Sequence, residues 1–178
     1  NGVESADRLR LILPDTDIIG GCVYIISHID KPGVIRQEDG ACKLIFGTDD
    51  DESSLKYSAV LNILLRAKIN AKLTGQISEA LWEKYLLMCP LGSLTAATGK
   101  TYGALMSNAV LKAKLQGMME EVVAVARARK VYLPGNAVDR TMEMAGRFAS
   151  DAKTSMQLDK EKGRQTEVDT LTGFLCQA

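Results

Sequence analysis

One histidine and four cysteines occur among the 178 residues, and each scarcity argues against a kind of site. His28 lies in an apolar stretch, which favours a packed histidine over a Ser-His-Asp catalytic arrangement. The cysteines are widely spaced, without a CxxC pair: Cys22, Cys42, Cys89 and Cys176. This spacing argues against a zinc site and favours reduced thiols in a cytoplasmic protein, so we predict no metal.

The sequence has no excess of positive or negative charge and no long hydrophobic run. The 22 basic and 22 acidic residues cancel, which predicts no bulk attraction to nucleic acid or to an anionic membrane surface. No apolar run approaches the roughly 20 residues that span a bilayer. The hydrophobic content of 46% is enough for a folded core. Because the first residue is Asn rather than Met, we expect the chain to start inside a longer protein.

Strand patterns dominate the first part of the chain. β-Branched and aromatic residues predict one buried strand from Ile18 to Ile29. Two shorter strands are predicted at Val34–Gln37 and Lys43–Phe46, and Glu38-Asp39-Gly40 between them indicates a hairpin. Strands of this kind, gathered at one end of the sequence, are typical of part of an α/β domain.

Helical spacing of apolar residues takes over after the acidic loop at 49–53. The predicted helices, including a short one at the start, are 4–13, 55–68, 77–95, 105–130, 137–148 and one from 166 onward. Ser53 or Ser54 is expected to cap the second, and Leu9, Ile12 and Leu13 are expected to face inward on the first. The predicted fold class is α+β and mainly α, with 1–50 as the strand-rich tail of an α/β domain and 51–178 as a helical domain.

A lysine interrupts an apolar stripe on the predicted helix at 77–95. Ile77, Leu81, Lys84, Met88 and Thr95 fall within a narrow arc of the helix, and the second half is apolar all round, so we expect this helix to be buried. A buried ammonium must be paired or serve a reaction that needs it. The alternative is a lysine whose stem covers apolar surface while its charge reaches water.

A second polar signal follows at 154–169. Thr166 fits a helix N-cap with Asp169 as its reciprocal partner, and Glu167 would then lie in the first turn, where the helix dipole favours a carboxylate. Capping does not explain Ser155, eleven residues before Thr166. This polar segment is a candidate source of a counter-charge for Lys84.

Several short motifs together resemble the ketopantoate reductase (2-dehydropantoate 2-reductase) family. They are NGV at the start, GxxR at 33–36, LWEK at 81–84, SLTA at 93–96, EEVxAVA at 120–126 and TSMxxDxxxGRxTEVDxLxG at 154–173. The resemblance implies a Rossmann domain with a GxGxxG turn, then a helical domain like the C-terminal domain of 6-phosphogluconate dehydrogenase, with the active site in the cleft between them. No GxGxxG turn occurs in this sequence, and we expect the missing part to lie before Asn1.

The resemblance also implies a reaction and roles for four residues. It implies NADPH-dependent reduction of ketopantoate, a small 2-keto acid, to pantoate in pantothenate and coenzyme A biosynthesis. Lys84 matches the family's general acid, and Ser155 matches a hydroxyl that contacts the substrate. Glu167 matches the acid that helps hold substrate and the nicotinamide end of NADPH, and Asn1 matches the turn asparagine that meets cofactor and substrate.

Two departures from the family pattern keep the substrate open. The family commonly has asparagines one and two turns after the lysine, where this chain has Met88 and Gly92, with Pro90 between them expected to kink the helix. The alternatives are therefore a reductase of another small 2-keto acid, or a non-catalytic helical dimerisation module. The helical domain is also a candidate surface for forming a homodimer. Without a phosphate-cradling turn, we expect these 178 residues alone neither to bind NADPH appreciably nor to catalyse the reaction.

Overall fold

The computed structural model describes residues 2–37 and 42–178, apart from the side chain of His28. Asn1, the predicted turn at Glu38-Asp39-Gly40 and the predicted packing of His28 lie outside what it describes. The chain divides into two compact units. The first, called the strand-rich unit, is Glu4–Leu81. The second, called the helical unit, consists of Trp82–Ala178 together with the residues up to Val3. The predicted domain boundary after residue 50 stays a prediction.

Helices make up most of the described chain. They are α1 Ser5–Ile12, α2 Asp51–Leu55, α3 Ser58–Arg66, α4 Ile77–Thr98, α5 Tyr102–Met106, α6 Ala109–Ala128, α7 Ala137–Gly146, α8 Ser155–Glu161 and α9 Phe174–Gln177, with a π-helical turn at Asp169–Gly173. The strands are β1 Gly20–Tyr24, β2 Ser27–Lys31, β3 Val34–Gln37, β4 Lys43–Gly47 and β5 Ala71–Thr74. The predicted fold class, mainly α with a strand-rich first part, is confirmed.

The predicted strand at Ile18–Ile29 is wrong as a single buried strand. It contains β1 and the start of β2, which belong to different sheets, and Ile26 and Ile29 are 58% and 74% exposed. The predicted β3–β4 hairpin is also wrong, since β3 pairs antiparallel with β2 while β4 pairs antiparallel with β1 and parallel with β5. The turn at Pro32-Gly33, with Gly33 at φ 80°, joins β2 to β3 instead.

Two helix predictions in the strand-rich unit also need correction. α1 forms, but its apolar residues face outward, with Leu9 44% and Ile12 73% exposed. The predicted helix at 55–68 is the shorter α3, and the predicted loop at 49–53 contains the start of a separate helix, α2. Asp50 rather than a serine caps α2, because its carboxylate accepts the Ser53 N–H at 2.6 Å. That backbone hydrogen bond holds the pKa of Asp50 below its ordinary value. Ser54 donates to the Thr74 carbonyl at 2.7 Å.

The helical unit differs from prediction mainly in where its helices begin. The predicted helix at 105–130 is α5 and α6, separated where Asn108 caps α6 by accepting the Leu111 N–H at 3.0 Å. Helix α8 was not predicted at all. The final helical segment begins at Asp169, so Thr166 does not serve as its N-cap. Helix α4 is confirmed and continues through Pro90 to Thr98.

None of the helices in the described ranges combines the length and apolarity needed to cross a bilayer.

We predict that Gly47→Ala destabilises the strand-rich unit by at least about 2 kcal/mol. Gly47 ends β4 at φ 150°, and a Cβ there would overlap the backbone carbonyl oxygen of Thr74 on the paired strand β5. The free energy of unfolding from urea titration measures the effect. Gly117→Ala is the matched control, because nothing lies within 4 Å of a Cβ at that position in α6. The control should be neutral or stabilising by up to ~1 kcal/mol, and an unchanged unfolding midpoint for Gly47→Ala would contradict the prediction.

Candidate active site

Helix α4 is the scaffold of the candidate site because its second half is apolar on nearly every side. Leu86, Cys89, Leu91 and Leu94 are each at most 4% exposed and belong to the main hydrophobic core. A helix that buries all its faces has its orientation determined by packing on every side. Any reactive group on such a helix is held to a well-defined position.

Lys84 lies in the part of α4 that belongs to the helical unit. It is half-buried, as are Leu81 and Met88, three residues before and four residues after it on the same helix face. Lys84 is thus neither fully buried nor fully exposed, and both predicted alternatives stay open. Partial burial lets the amine exchange protons with water while its stem lies against apolar surface. This placement fits a lysine whose charge reaches water, and it equally fits a proton donor.

The positions one and two turns after Lys84 on α4, Met88 and Gly92, are apolar. Gly92 is eight residues after Lys84, and a Cβ built on it would lie 3.7 Å from Cε and 3.8 Å from Cβ of Met156 in α8. These are ordinary van der Waals separations, so the glycine leaves room for a small side chain. Met88, Gly92 and Met156, here the apolar wall, offer no side-chain hydrogen-bonding group stronger than a thioether.

Ser155 is the first residue of α8 and is exposed, and its backbone position is set by the residue before it. Thr154 caps α8 by accepting the Gln157 N–H at 3.1 Å. The Thr154 hydroxyl also lies 2.8 Å from the hydroxyl of Thr95 on α4. The cap that starts α8 is thus joined directly to the lysine-bearing helix.

Hydrogen bonds from charged side chains hold the other end of α8 in place. Lys160 Nζ donates to the Ala96 carbonyl of α4 at 2.8 Å. Lys153 Nζ donates to both oxygens of Glu161, at 2.9 and 2.8 Å, and this hydrogen bonding holds the pKa of Glu161 below its ordinary value. Gln157 Nε2 donates to the same carboxylate at 3.1 Å, and its Oε1 is buried without a hydrogen-bond partner among the described residues.

The segment that carries Glu167 is also attached to α4. Glu167 is half-buried, and its carbonyl accepts the Leu171 N–H at 3.0 Å as the π-helical turn begins. Tyr85, the neighbour of Lys84 in sequence, donates its hydroxyl to the Leu171 carbonyl at 2.6 Å. The Ser93 and Thr172 hydroxyls lie 2.5 Å apart. Two hydrogen bonds therefore hold this turn along the same helix.

An aromatic cluster packs between α4 and α9, next to the π-helical turn. Tyr85 packs edge-on against Trp82 and Phe174, with ring centroids 5.5 and 6.0 Å away. The Arg129 guanidinium at the end of α6 lies 4.8 Å from the Phe174 ring centroid, a cation–π contact. The position of α9 is thereby fixed against α4 as well.

The start of the chain reaches the same turn. Gly2 has φ 100°, and a Cβ on it would lie 3.3 Å from the Thr170 carbonyl oxygen. Val3 packs against the main core. Asn1 itself lies outside the described residues, so its predicted contact with cofactor and substrate is not described. Gly2 is nevertheless adjacent to Thr170, three residues after Glu167.

The helical unit thus gathers the segments of Lys84, Ser155 and Glu167 around α4, and the roles of these residues stay predictions. Sequence reasoning missed the residues that do the gathering: Tyr85, Ser93, Thr95, Thr154, Lys160 and Thr172. One signal was available, since Thr154-x-x-Gln157 has the capping-box spacing that marks a helix start. Within ranges 2–37 and 42–178, no group of three or more His, Cys, Asp or Glu side chains is placed to hold a metal ion.

The chain matches a family model described as "Ketopantoate reductase PanE/ApbA C terminal" over residues 76–178. A curated relative, the 2-dehydropantoate 2-reductase of Mesorhizobium japonicum, is 30% identical over 171 residues, which cover 96% of this chain and 52% of the relative. The chain spans about half the length of the curated relatives it matches.

Solved structures show the same fold. The PanE/ApbA family ketopantoate reductase from Ralstonia eutropha JMP134 superposes with a TM-score of 0.87 at 28% identity, covering 99% of this chain and 57% of that one. The ternary structure of a D-mandelate dehydrogenase with NADH and anilino(oxo)acetate has a TM-score of 0.86 at 18% identity, covering 99% of this chain and 58% of that one. At that identity the second likeness concerns the fold alone.

We predict that Tyr85→Phe destabilises the helical unit by about 1–3 kcal/mol. Removal of the hydroxyl leaves the Leu171 carbonyl without this donor in a region where Tyr85 and Leu171 are each 2% exposed. Urea unfolding followed by circular dichroism measures the loss. Tyr132→Phe, at a site 71% exposed, is the control and should change stability by less than about 0.5 kcal/mol. Equal unfolding midpoints for the two variants would contradict the prediction.

Proposed function

This chain belongs to the ketopantoate reductase PanE/ApbA family of oxidoreductases, and from that premise we propose that the protein carrying it reduces 2-dehydropantoate to pantoate with NADPH. In this proposal the enzyme serves pantothenate and coenzyme A biosynthesis in the cytoplasm. The observation that carries it is the arrangement around α4: a half-exposed lysine on a buried helix, with the Ser155 and Glu167 segments hydrogen-bonded to that helix.

NADPH, when bound, supplies the hydride that converts the C2 carbonyl of the keto acid to an alcohol. Carboxylate oxygens accept hydrogen bonds from amides and hydroxyls, so the half-buried Glu167 suits the carboxamide and ribose of a nicotinamide nucleotide. Recognition of the cofactor's phosphates is assigned to regions other than α4, α8 and the π-helical turn.

Lys84 is assigned the proton transfer. As negative charge develops on the C2 oxygen, the ammonium donates a hydrogen bond and then a proton, so the ketone gains one hydride and one proton in total. The neutral amine then takes a proton from water, which its half-exposed position allows. A preorganised cation at this point stabilises the transition state more than the neutral ketone.

Ser155 is assigned to the substrate's polar end. As the exposed first residue of α8, it offers a hydroxyl that can donate to the keto-acid carboxylate or accept from a substrate hydroxyl. Gly92, which faces α8, is eight residues from Lys84, a rise of about 12 Å along the helix. We place the small keto acid between these two points.

We predict that Lys84→Ala lowers kcat for ketopantoate by about 10²–10⁴-fold, the usual contribution of general acid catalysis. The measurement is NADPH oxidation by the whole protein, with thermal unfolding to check the fold. Lys114→Ala, at an exposed position on α6, is the control and should keep wild-type turnover. Normal turnover by Lys84→Ala would refute the assigned role.

A second candidate, reduction of a different small 2-keto acid, is favoured by the apolar wall. A substrate hydroxyl facing Met88, Gly92 and Met156 would lose hydrogen bonds to water without gaining strong partners from these side chains. A keto acid with a purely hydrocarbon substituent would avoid that penalty. Ketopantoate and 3,3-dimethyl-2-oxobutanoate differ by one hydroxyl and therefore form a matched substrate pair.

We predict that Gly92→Asn shifts the ratio of kcat/KM values toward ketopantoate by about 10-fold or more relative to the hydroxyl-free analogue. The new amide would supply a partner for the hydroxyl, and the flexible end of Met156 can yield to it. Gly92→Ala is the control, since it adds bulk without an amide. If the wild-type protein already prefers ketopantoate strongly, the second candidate is excluded. If Asn and Ala give the same ratio, the apolar wall does not face the substrate.

A further inference from the structure

We propose that Thr95 and Thr154 are positioning residues for the reaction, and that their buried hydroxyl pair holds Ser155 in register with Lys84. The inference rests on the proposed function, because it assigns a purpose to the distance between a proton donor and a substrate-binding hydroxyl. Neither threonine touches the substrate in this proposal. Both act through α8, whose first residue is Ser155.

The hydroxyl pair is fully enclosed. Thr95 is 0% and Thr154 5% exposed, and their oxygens lie 2.8 Å apart. Thr95 Oγ1 is also 2.8 Å from the Leu91 carbonyl oxygen, and the Gln157 N–H donates to Thr154 Oγ1 at 3.1 Å. A hydroxyl has a single proton to donate. A consistent assignment therefore runs in one direction: Gln157 N–H to Thr154, Thr154 to Thr95, and Thr95 to the Leu91 carbonyl.

This chain of hydrogen bonds joins the start of α8 to α4. Aligned donors in a dry interior polarise one another, so the bonds strengthen together. Breaking the middle bond leaves buried polar atoms without water to replace it. Sliding α8 along α4 would break that bond, and so would rotating it. The geometry therefore holds the start of α8 in one place relative to α4.

A second tie limits movement at the far end of α8. Lys160 Nζ donates to the Ala96 carbonyl, the residue after Thr95, at 2.8 Å. Gly92, one turn earlier in α4, packs toward Met156. Helix α8 has seven residues and is too short to be stable without its cap and its tertiary contacts. The position of the Ser155 hydroxyl therefore depends on these attachments to α4.

An ordinary buried threonine in the same unit offers the comparison. Thr141 is 8% exposed, and its hydroxyl donates to the Ala137 carbonyl four residues back in its own helix at 2.7 Å. Thr95 makes the same kind of bond but also reaches another helix. Replacing either threonine with valine conserves the side-chain shape and removes one hydroxyl. Thr141→Val loses only a bond within its own helix, whereas Thr95→Val also loses the bond between α4 and α8.

The kinetic test uses Thr95→Val, Thr95→Ser and Thr141→Val in the whole protein. We expect Thr95→Val to raise KM for the keto acid by about 10-fold, the equivalent of one lost buried hydrogen bond, and to leave KM for NADPH within about twofold. Thr95→Ser keeps the hydroxyl and should restore KM to near the wild-type value. Thr141→Val should leave both KM values unchanged. Equal effects of Thr95→Val and Thr141→Val on the keto-acid KM would overturn the proposal.

A double-mutant cycle with Ser155→Ala tests whether the effect passes through Ser155. If it does, Thr95→Val should raise KM by less than about twofold once the Ser155 hydroxyl is gone. If Thr95→Val still raises KM about 10-fold in the Ser155→Ala background, the threonine acts by another route and the proposal fails.

Amide hydrogen exchange on the 178-residue chain tests the link without turnover. Thr95→Val should speed exchange at the start of α8 by about 10-fold while leaving α7 unchanged, and Thr141→Val should do the reverse. Unchanged exchange in α8 would overturn the link between the helices while leaving the proposed function standing. If α8 responds as expected but the wild-type whole protein reduces no 2-keto acid, the proposed function fails and the positioning role fails with it.

Discussion

The helical unit depends on the burial of the second half of α4. Nearly every side chain from Tyr85 to Ala96 is shielded from water, so other segments must pack against this helix on all sides. Burial of this kind supplies most of the driving force for folding. It also leaves little freedom for α4 to move, because close-packed surroundings resist displacement.

The polar groups on α4 then select which segment packs where. A buried hydroxyl must find a partner, since leaving it unpaired costs free energy. Tyr85 finds the Leu171 carbonyl, Ser93 finds Thr172, and Thr95 finds Thr154. A hydrogen bond also determines which residues face each other, because it needs one donor at a set distance from one acceptor. The same contacts that stabilise the unit therefore locate the segments of Glu167 and Ser155.

The sequence predicts local features well and partners poorly. The long apolar run of α4 identified the central helix, and the strands predicted at 34–37 and 43–46 match β3 and β4. Strand pairing was beyond reach, because pairing joins distant residues and the run at 18–29 contains no breaker between β1 and β2. The amphipathic pattern of α1 indicated which residues share a face, but not whether anything covers that face. Lys84 was correctly placed on the helix, yet its partial burial depends on neighbours that the sequence does not reveal.

Short helices that depend on an N-cap were the other feature that the sequence analysis did not predict. Helix α8 has too few residues for a periodic pattern, although the Thr154 to Gln157 spacing predicts its start. That omission left Ser155 on a presumed polar turn, without the hydroxyl pair that connects it to α4. Candidate reactive residues could be selected by their chemistry. The residues that hold them in place become recognisable only once the helices are seen together.

Chemical rescue tests the central claim, that Lys84 donates the proton, most directly. The whole protein carrying Lys84→Ala would be assayed with NADPH and keto acid in increasing concentrations of a small primary alkylammonium ion, and in parallel with tetramethylammonium. We expect turnover to recover with the alkylammonium ion, which carries both charge and a transferable proton, and not with tetramethylammonium, which carries charge alone. Equal recovery with both ions, or no recovery with either by a folded variant that still binds NADPH, would contradict proton donation by Lys84.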